Sequence, residues 1–261
     1  MIGVFDSGLG GLSVLAAIAR ALPRADLAYV ADTAHVPYGN KPEGFIRGRV
    51  VTIGEHLVSQ GCGMLVVACN TATVAAVRAL RERFPNLPIV GVEPGVKPAA
   101  TGSRTKRIAV LATEATAKSE RLATLIREHA SSAEVIIQPC PGWATRVEAL
   151  DISDAGFATE IAAHVEPLLA AGADRLVLGC THYSFLAPVL APLVAGRAEL
   201  VDVAEAVARQ CLRLAGDAAG GSGRLLLSAT AHPERLRAAL PALGLAWLAE
   251  RQHGPATLTA A

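Results

Sequence analysis

The chain has almost no excess of charge of either sign: 24 Lys and Arg stand against 23 Asp and Glu in 261 residues, a formal net charge of +1. It therefore lacks an electrostatic footprint for nucleic acid or an anionic membrane surface, and neither is expected as a partner. Apolar runs long enough to span a bilayer are missing. The first residues carry no basic region followed by an apolar stretch and a cleavage site, which argues against a signal peptide and for the cytoplasm. The same start implies no N-terminal extension in which an activator site would lie. Cysteine is scarce: Cys62, Cys69, Cys140, Cys180 and Cys211 form no C-x-x-C motif and are odd in number, as suits free thiols in a reducing compartment. Zinc spacing and a pyridoxal-lysine motif are absent, and Gly8, Gly10 and Gly11 miss the G-x-G-x-x-G spacing of a dinucleotide fingerprint. Neither metal nor cofactor is expected.

What is present is core. With 52% hydrophobic and 18% charged residues, the chain can fill one large domain or two of ordinary size, and disorder is excluded as its main state. Two stretches share one design, Met64 to Ala72 and Arg175 to Tyr183. In each, an apolar run of strand length ends at a cysteine, Cys69 or Cys180, followed by Asn or Thr residues and a helical pattern. A thiol at such a junction sits near the unpaired N–H groups of the helix start, where negative charge is favoured. Two such thiols closing on a small molecule from opposite sides can remove a proton on one face and return one on the other. A racemase without a cofactor needs that arrangement. The competing explanation, two ordinary buried cysteines, fits a single case better than a matched pair flanked by Asn70, Thr71, Thr181 and His182.

Taken in order, the chain alternates strand and helix, which reads as a parallel α/β sheet. Ile2 to Phe5 is a strand, Asp6 to Gly11 a tight turn, and Leu12 to Leu22 a helix ended by Pro23. Asp6 is either a helix N-cap or a carboxylate able to hold an ammonium group or assist a thiol. The loop Asp32 to Pro42 contains Pro37-Tyr38-Gly39, whose Tyr38 hydroxyl and Gly39 N–H can meet a ligand. Glu93 to Pro98 and Thr101 to Ser103 read as a domain crossing, after which the pattern restarts at Arg107. Toward the end, Leu225 to Ser228 reads as a strand, Pro233 to Leu240 as a helix and Leu245 to Leu248 as a strand. These pieces are too small to stand alone and are expected to pack on the first half. The expected architecture is α/β: two similar three-layer α/β domains with mainly parallel sheets and the active site in the cleft between them. Residues 1–94 with 208–261 would form a discontinuous first domain, and 95–207 the second.

Several motifs together resemble the aspartate/glutamate racemase family, and within it glutamate racemases: Phe5 to Leu12, Pro37-Tyr-Gly39, Cys69-Asn-Thr-Ala72, Glu93-Pro-Gly95, Ala112 to Thr116 with Lys118-Ser119, and Gly179-Cys-Thr-His-Tyr183. They occur in the family's order over about residues 2 to 215. The resemblance implies cofactor-independent interconversion of L- and D-glutamate, supplying D-glutamate for peptidoglycan. It implies Cys69 and Cys180 as the catalytic thiols, with Cys69 toward D-glutamate and Cys180 toward L-glutamate, assisted by Asp6, Glu148 and His182. It places Asp6, Ser7, Pro37, Tyr38, Gly39, Asn70, Thr71, Thr116, Thr181 and His182 around the glutamate. A homodimer is a further expectation. Three positions depart from the family pattern: Ala115 replaces a glycine, Pro141 to Arg146 replaces a more apolar run before Val147-Glu148, and Ser184 replaces a proline.

Because an α-proton is far less acidic than a thiol, the site must stabilise a carbanion-like transition state with fixed N–H groups and hydroxyls. Asp6 on one side and His182 with Glu148 on the other would keep one sulfur as thiolate and the other as thiol. Alternatives are a racemase of aspartate or of a hydantoin, and a non-catalytic protein binding an anionic ligand. Cys62, Cys140 and Cys211 are expected to be structural, none standing at a strand end with a polar helix start behind it.

Overall fold

The computed structural model describes residues 1–251; residues 252–261 of the expected first domain lie outside the described residues. The strands are β1 (Ile2–Asp6), β2 (Leu27–Ala31), β3 (Met64–Val67), β4 (Ile89–Gly91), β5 (Arg107–Ala112), β6 (Glu134–Pro139), β7 (Arg175–Leu178), β8 (Glu199–Val201) and β9 (Leu225–Ala229). The chain divides into two compact units, Met1–Val92 with the segment from Ala204 onward, and Glu93–Val203.

The first unit is built on a five-stranded sheet in the order β4-β3-β1-β2-β9, with every pair parallel. Its inner strands are apolar runs buried on both faces, as a parallel sheet covered by helices requires. Helices Glu43–Ser59 and Asn70–Arg83 pack together, as do Leu12–Ala21 and Ala204–Leu214. Val67, Leu65, Val50, Leu57 and Leu80 are fully buried in one cluster, each contributing about 1.5–3 kcal/mol through removal from water. The strand expected at Leu245 to Leu248 is instead the helix Ala246–Glu250, entered through Gly244 at φ +72 and packed on the helix Pro233–Ala242. Its four apolar residues are too few to distinguish the two periodicities.

The second unit has a four-stranded parallel sheet, β6-β5-β7-β8. The expected domain crossing contains the helix Val96–Gly102, which packs against β5 and the helix Glu120–His129. Pro98 stands in its first turn, where a missing N–H removes no helical hydrogen bond. The polar loop after β5 closes into the short helix Glu114–Ala117, capped by Thr113. Ala115 lies inside it, and among the described residues the non-glycine ones at positive φ are Lys106, Leu150 and His232, so the exchange of glycine for alanine carries no backbone strain. The helical pattern expected after Cys180 begins as a 3₁₀ turn, Thr181–Leu186, before Ala187–Val194.

Candidate active site

In the first unit, β1 and β3 pair with Phe5 opposite Val67, and the Ala68 N–H continues the ladder to the Phe5 carbonyl at 2.8 Å. Asp6 and Cys69 therefore leave adjacent strands at the same carboxyl-terminal sheet edge, where parallel α/β sheets bind ligands. Cys69 is extended (φ −137, ψ 121) and is the N-cap of helix Asn70–Arg83, its sulfur accepting from the Ala72 N–H at 3.5 Å. The positive end of the helix dipole thus faces the sulfur. Ser7 Oγ lies 3.8 Å from the same sulfur.

Asp6 is not a helix cap; that position belongs to Gly11. Its Oδ1 accepts from the Gly8 N–H at 2.7 Å and from the Ser7 hydroxyl at 3.5 Å, folding the glycine turn around the carboxylate. A Cβ on Gly11 would stand 2.6 Å from the Asp6 Cβ, so only glycine permits this approach. Asn70 and Thr71 are buried. Both polar atoms of the Asn70 amide lack a hydrogen-bond partner among the described residues, a costly state that a ligand would relieve.

Pro37 follows a cis peptide bond and leads into the 3₁₀ turn Tyr38–Asn40, which includes Gly39. The Tyr38 hydroxyl donates to Asp32 at 2.6 Å, so the proton expected to face a ligand is held inside the unit. Asp32 also accepts two bonds from Arg49, both at 3.0 Å, and one from Thr230 at 2.8 Å. Burial pushes the Asp32 carboxyl up, but the bonds from Arg49, Tyr38 and Thr230 outweigh it and hold the group below its usual range. Burial and the adjacent Asp32 charge push the Tyr38 phenol up, keeping it neutral. Sequence reasoning missed this network: Arg49 and Thr230 lie 17 and 198 positions from Asp32, and no local pattern joins them.

The second unit repeats the junction. β5 and β7 pair with Leu111 opposite Leu178, and the Gly179 N–H donates to the Leu111 carbonyl at 2.7 Å. A Cβ at Gly179 would stand 2.6 Å from that carbonyl oxygen. Cys180 follows, extended (φ −142, ψ 136), as the N-cap of the 3₁₀ turn. Its sulfur lies 3.6 Å from Nδ1 of His182, whose Nε2 lies 2.5 Å from Glu148 Oε1. Burial would lower the His182 pKa, but its bonds and charge interactions with Cys180 and Glu148 prevail and hold it well above the ordinary value. Thr116 and Thr181 are buried, with the Thr113 and Thr116 hydroxyls 3.1 Å apart.

Cys140 meets half of the pattern that marks the other two thiols. β6 runs to Pro139, so Cys140 stands at a strand end, its N–H bonded to the Ala112 carbonyl at 2.9 Å. What separates it from the other two is the helix start behind it: Pro141 and Gly142 lead to Trp143, with no side-chain cap. Burial pushes its thiol up to about 12, and likewise Cys211 to about 12 and Cys62 to about 11.

The family profile described as Asp/Glu/Hydantoin racemase matches residues 2–211. This chain belongs to that racemase family. A glutamate racemase of Ectopseudomonas mendocina is 54% identical over 215 residues, 82% of each chain. One of Pseudomonas putida is 48% identical over 246 residues, 93% of each. The crystal structure of Escherichia coli glutamate racemase with L-glutamate and an activator superposes with a TM-score of 0.85 at 31% identity, covering 99% of this chain and 98% of that one. Family membership makes the chain an isomerase, and no described helix is long and apolar enough to cross a membrane.

Proposed function

We propose that the chain interconverts L- and D-glutamate without a cofactor, with Cys69 and Cys180 as the two acid–base groups. The observation that carries this reading is the matched placement of the two sulfurs, each at the N-cap of the segment leaving an inner parallel strand. The glutamate racemases among its relatives supply the substrate. Racemisation requires both sulfurs to address one α-carbon. One thiolate takes the α-proton, the other thiol delivers a proton to the opposite face, and the developing negative charge on the substrate is met by fixed N–H groups and hydroxyls.

Asp6 and Ser7 serve the Cys69 side, and His182 with Glu148 the Cys180 side. Pro37, Tyr38, Gly39, Asn70 and Thr71 in the first unit, with Thr116, Thr181 and His182 in the second, form the substrate contacts. Asn70 is best supported, since its buried amide is unsatisfied without a ligand. The proposal extends to a cytoplasmic homodimer that supplies D-glutamate for peptidoglycan; light scattering tests its assembly.

Polarimetry on the purified protein with L-glutamate and nothing added should show loss of rotation, undiminished by dialysis against a chelator. Cys69→Ala and Cys180→Ala should both stop racemisation. In D₂O, Cys180→Ala should label only D-glutamate at the α-carbon and Cys69→Ala only L-glutamate. Racemisation persisting at the parent rate in either variant would remove the two-thiol reading, and reversed labelling would exchange the two roles.

A further inference from the structure

Trp143 is fully buried and opens the helix Trp143–Glu148, whose last residue holds His182. Its ring meets three others edge-on: Tyr183 at 5.3 Å, His164 at 5.6 Å and Phe157 at 6.2 Å between centroids. Tyr183 directly follows His182 in the 3₁₀ turn, and its hydroxyl donates to the Cys140 carbonyl at 3.1 Å. The Trp143–Tyr183 contact therefore joins the two segments that supply the two ends of the Glu148–His182 bond.

The helix is only six residues long, and its buried residues are Trp143 and Val147, one turn apart on the same side. Behind it, Arg146 pairs with Asp151 and lies over the Phe157 ring at 5.3 Å, which closes the loop after Glu148. The indole N–H has no partner among the described residues, so shape rather than hydrogen bonding holds the ring. A short helix held by so few side chains can roll when the largest is removed, and a charge-assisted bond of 2.5 Å tolerates little displacement.

We propose that Trp143, through its contact with Tyr183, is a positioning residue that sets the Glu148–His182 hydrogen bond and so aims the imidazole at Cys180. This rests on the reading of Cys180 as an acid–base group. Trp143 touches no reacting atom; it acts by fixing where Glu148 stands.

The test compares Trp143→Ala, Trp143→Phe and Tyr183→Phe in the full chain, reading kcat, KM and the ring titration of His182 by NMR of labelled histidine. Cys180 and Glu148 hold that ring's pKa up. In Trp143→Ala, kcat should fall about 10- to 100-fold, with KM within about twofold and the His182 titration moved toward that of an ordinary histidine. Trp143→Phe keeps an edge-on ring and leaves no polar group unpaired, so it should restore most of both. Tyr183→Phe, which removes only the hydroxyl bond to Cys140, should move both readouts the same way by less. If Trp143→Ala does not fold, Tyr183→Leu, which removes the ring that Trp143 meets, decides the case by the same two readouts. Lower thermal stability with unchanged turnover per folded molecule and an unmoved His182 titration would overturn the proposal. A parent protein inactive on glutamate would sink the functional reading alone, because the titration still reports whether Trp143 positions Glu148.

Discussion

The sulfur of Cys180 lies 3.6 Å from Nδ1 of His182, and the opposite nitrogen of that ring lies 2.5 Å from Glu148. The Cys69 sulfur is served differently, by a helix N–H and the Ser7 hydroxyl. That inequality is what a two-base reaction needs, since one sulfur must hold a proton while the other lacks it.

The His182 arrangement has a signature in stability. Its pKa is raised in the folded protein, so the stabilisation from its proton is fully present below the unfolded value of about 6.5 and is lost as pH rises through the folded value. Glu148→Gln removes one of the causes. Melting temperatures of parent and variant should differ most near pH 6 and converge as pH rises. A gap that widened with pH would mean that Glu148 does not favour the imidazolium.

Asp32 shows the opposite sign. Its pKa is depressed, so its contribution is present above the unfolded value of about 3.9 and lost as pH falls through the folded value. Asp32→Asn leaves Arg49 facing a neutral amide in a largely buried setting and should cost about 3 kcal/mol at pH 7 by urea unfolding, with the gap closing in acid. Activity should fall too, because the same carboxylate fixes Tyr38 beside Gly39. An unchanged midpoint at pH 7 would show that Arg49 finds another counter-ion.

Both cysteine junctions were legible because an apolar run ending in Cys-Asn-Thr or Cys-Thr-His joins two strong local signals, a buried strand and a polar helix start. The helix Val96–Gly102 was hidden by Pro94, Gly95 and Pro98, read as breakers although the last sits harmlessly in a first turn. The extension of β6 to Pro139 was hidden for a similar reason. Proline reads as a strand end, yet β6 is an edge strand with no neighbour on its outer side among the described residues, where proline is tolerated. The Asp32–Arg49–Thr230 and Trp143–Tyr183 groupings exist only once distant segments pack, so no spacing rule reaches them.

The three remaining thiols should be chemically quiet. Burial holds Cys62 at about 11 and Cys140 and Cys211 at about 12, so each is almost wholly protonated at neutral pH. Iodoacetamide at pH 7.5, followed by peptide mass spectrometry, should leave all three unmodified in the folded protein and label them after denaturation. Cys140→Ser should alter stability more than turnover. Complete loss of activity in well-folded Cys140→Ser would give that strand-end thiol a part in the chemistry.

Asn70 offers the sharpest separation of fold from function, because its predicted effects have opposite signs. The side chain is 3% exposed, and neither its amide nitrogen nor its oxygen is paired among the described residues. A buried amide without a protein partner costs about 1–3 kcal/mol, which a substrate hydrogen-bonded to it offsets. The group stands directly after Cys69 in the first turn of helix Asn70–Arg83, where an amide can donate to a substrate carboxylate and accept from its ammonium group. Asn70→Leu removes the polarity while keeping the branching and the number of side-chain heavy atoms. Without ligand, the variant should melt several degrees higher than the parent. Glutamate should then raise the melting temperature of the parent but much less that of the variant, and KM should rise at least tenfold, the order expected when about 1.4 kcal/mol of binding is lost. A variant that melts lower and binds glutamate as the parent does would show that the amide serves the fold, and the substrate contacts of the first unit would have to be sought among Asp6, Ser7, Pro37, Tyr38, Gly39 and Thr71.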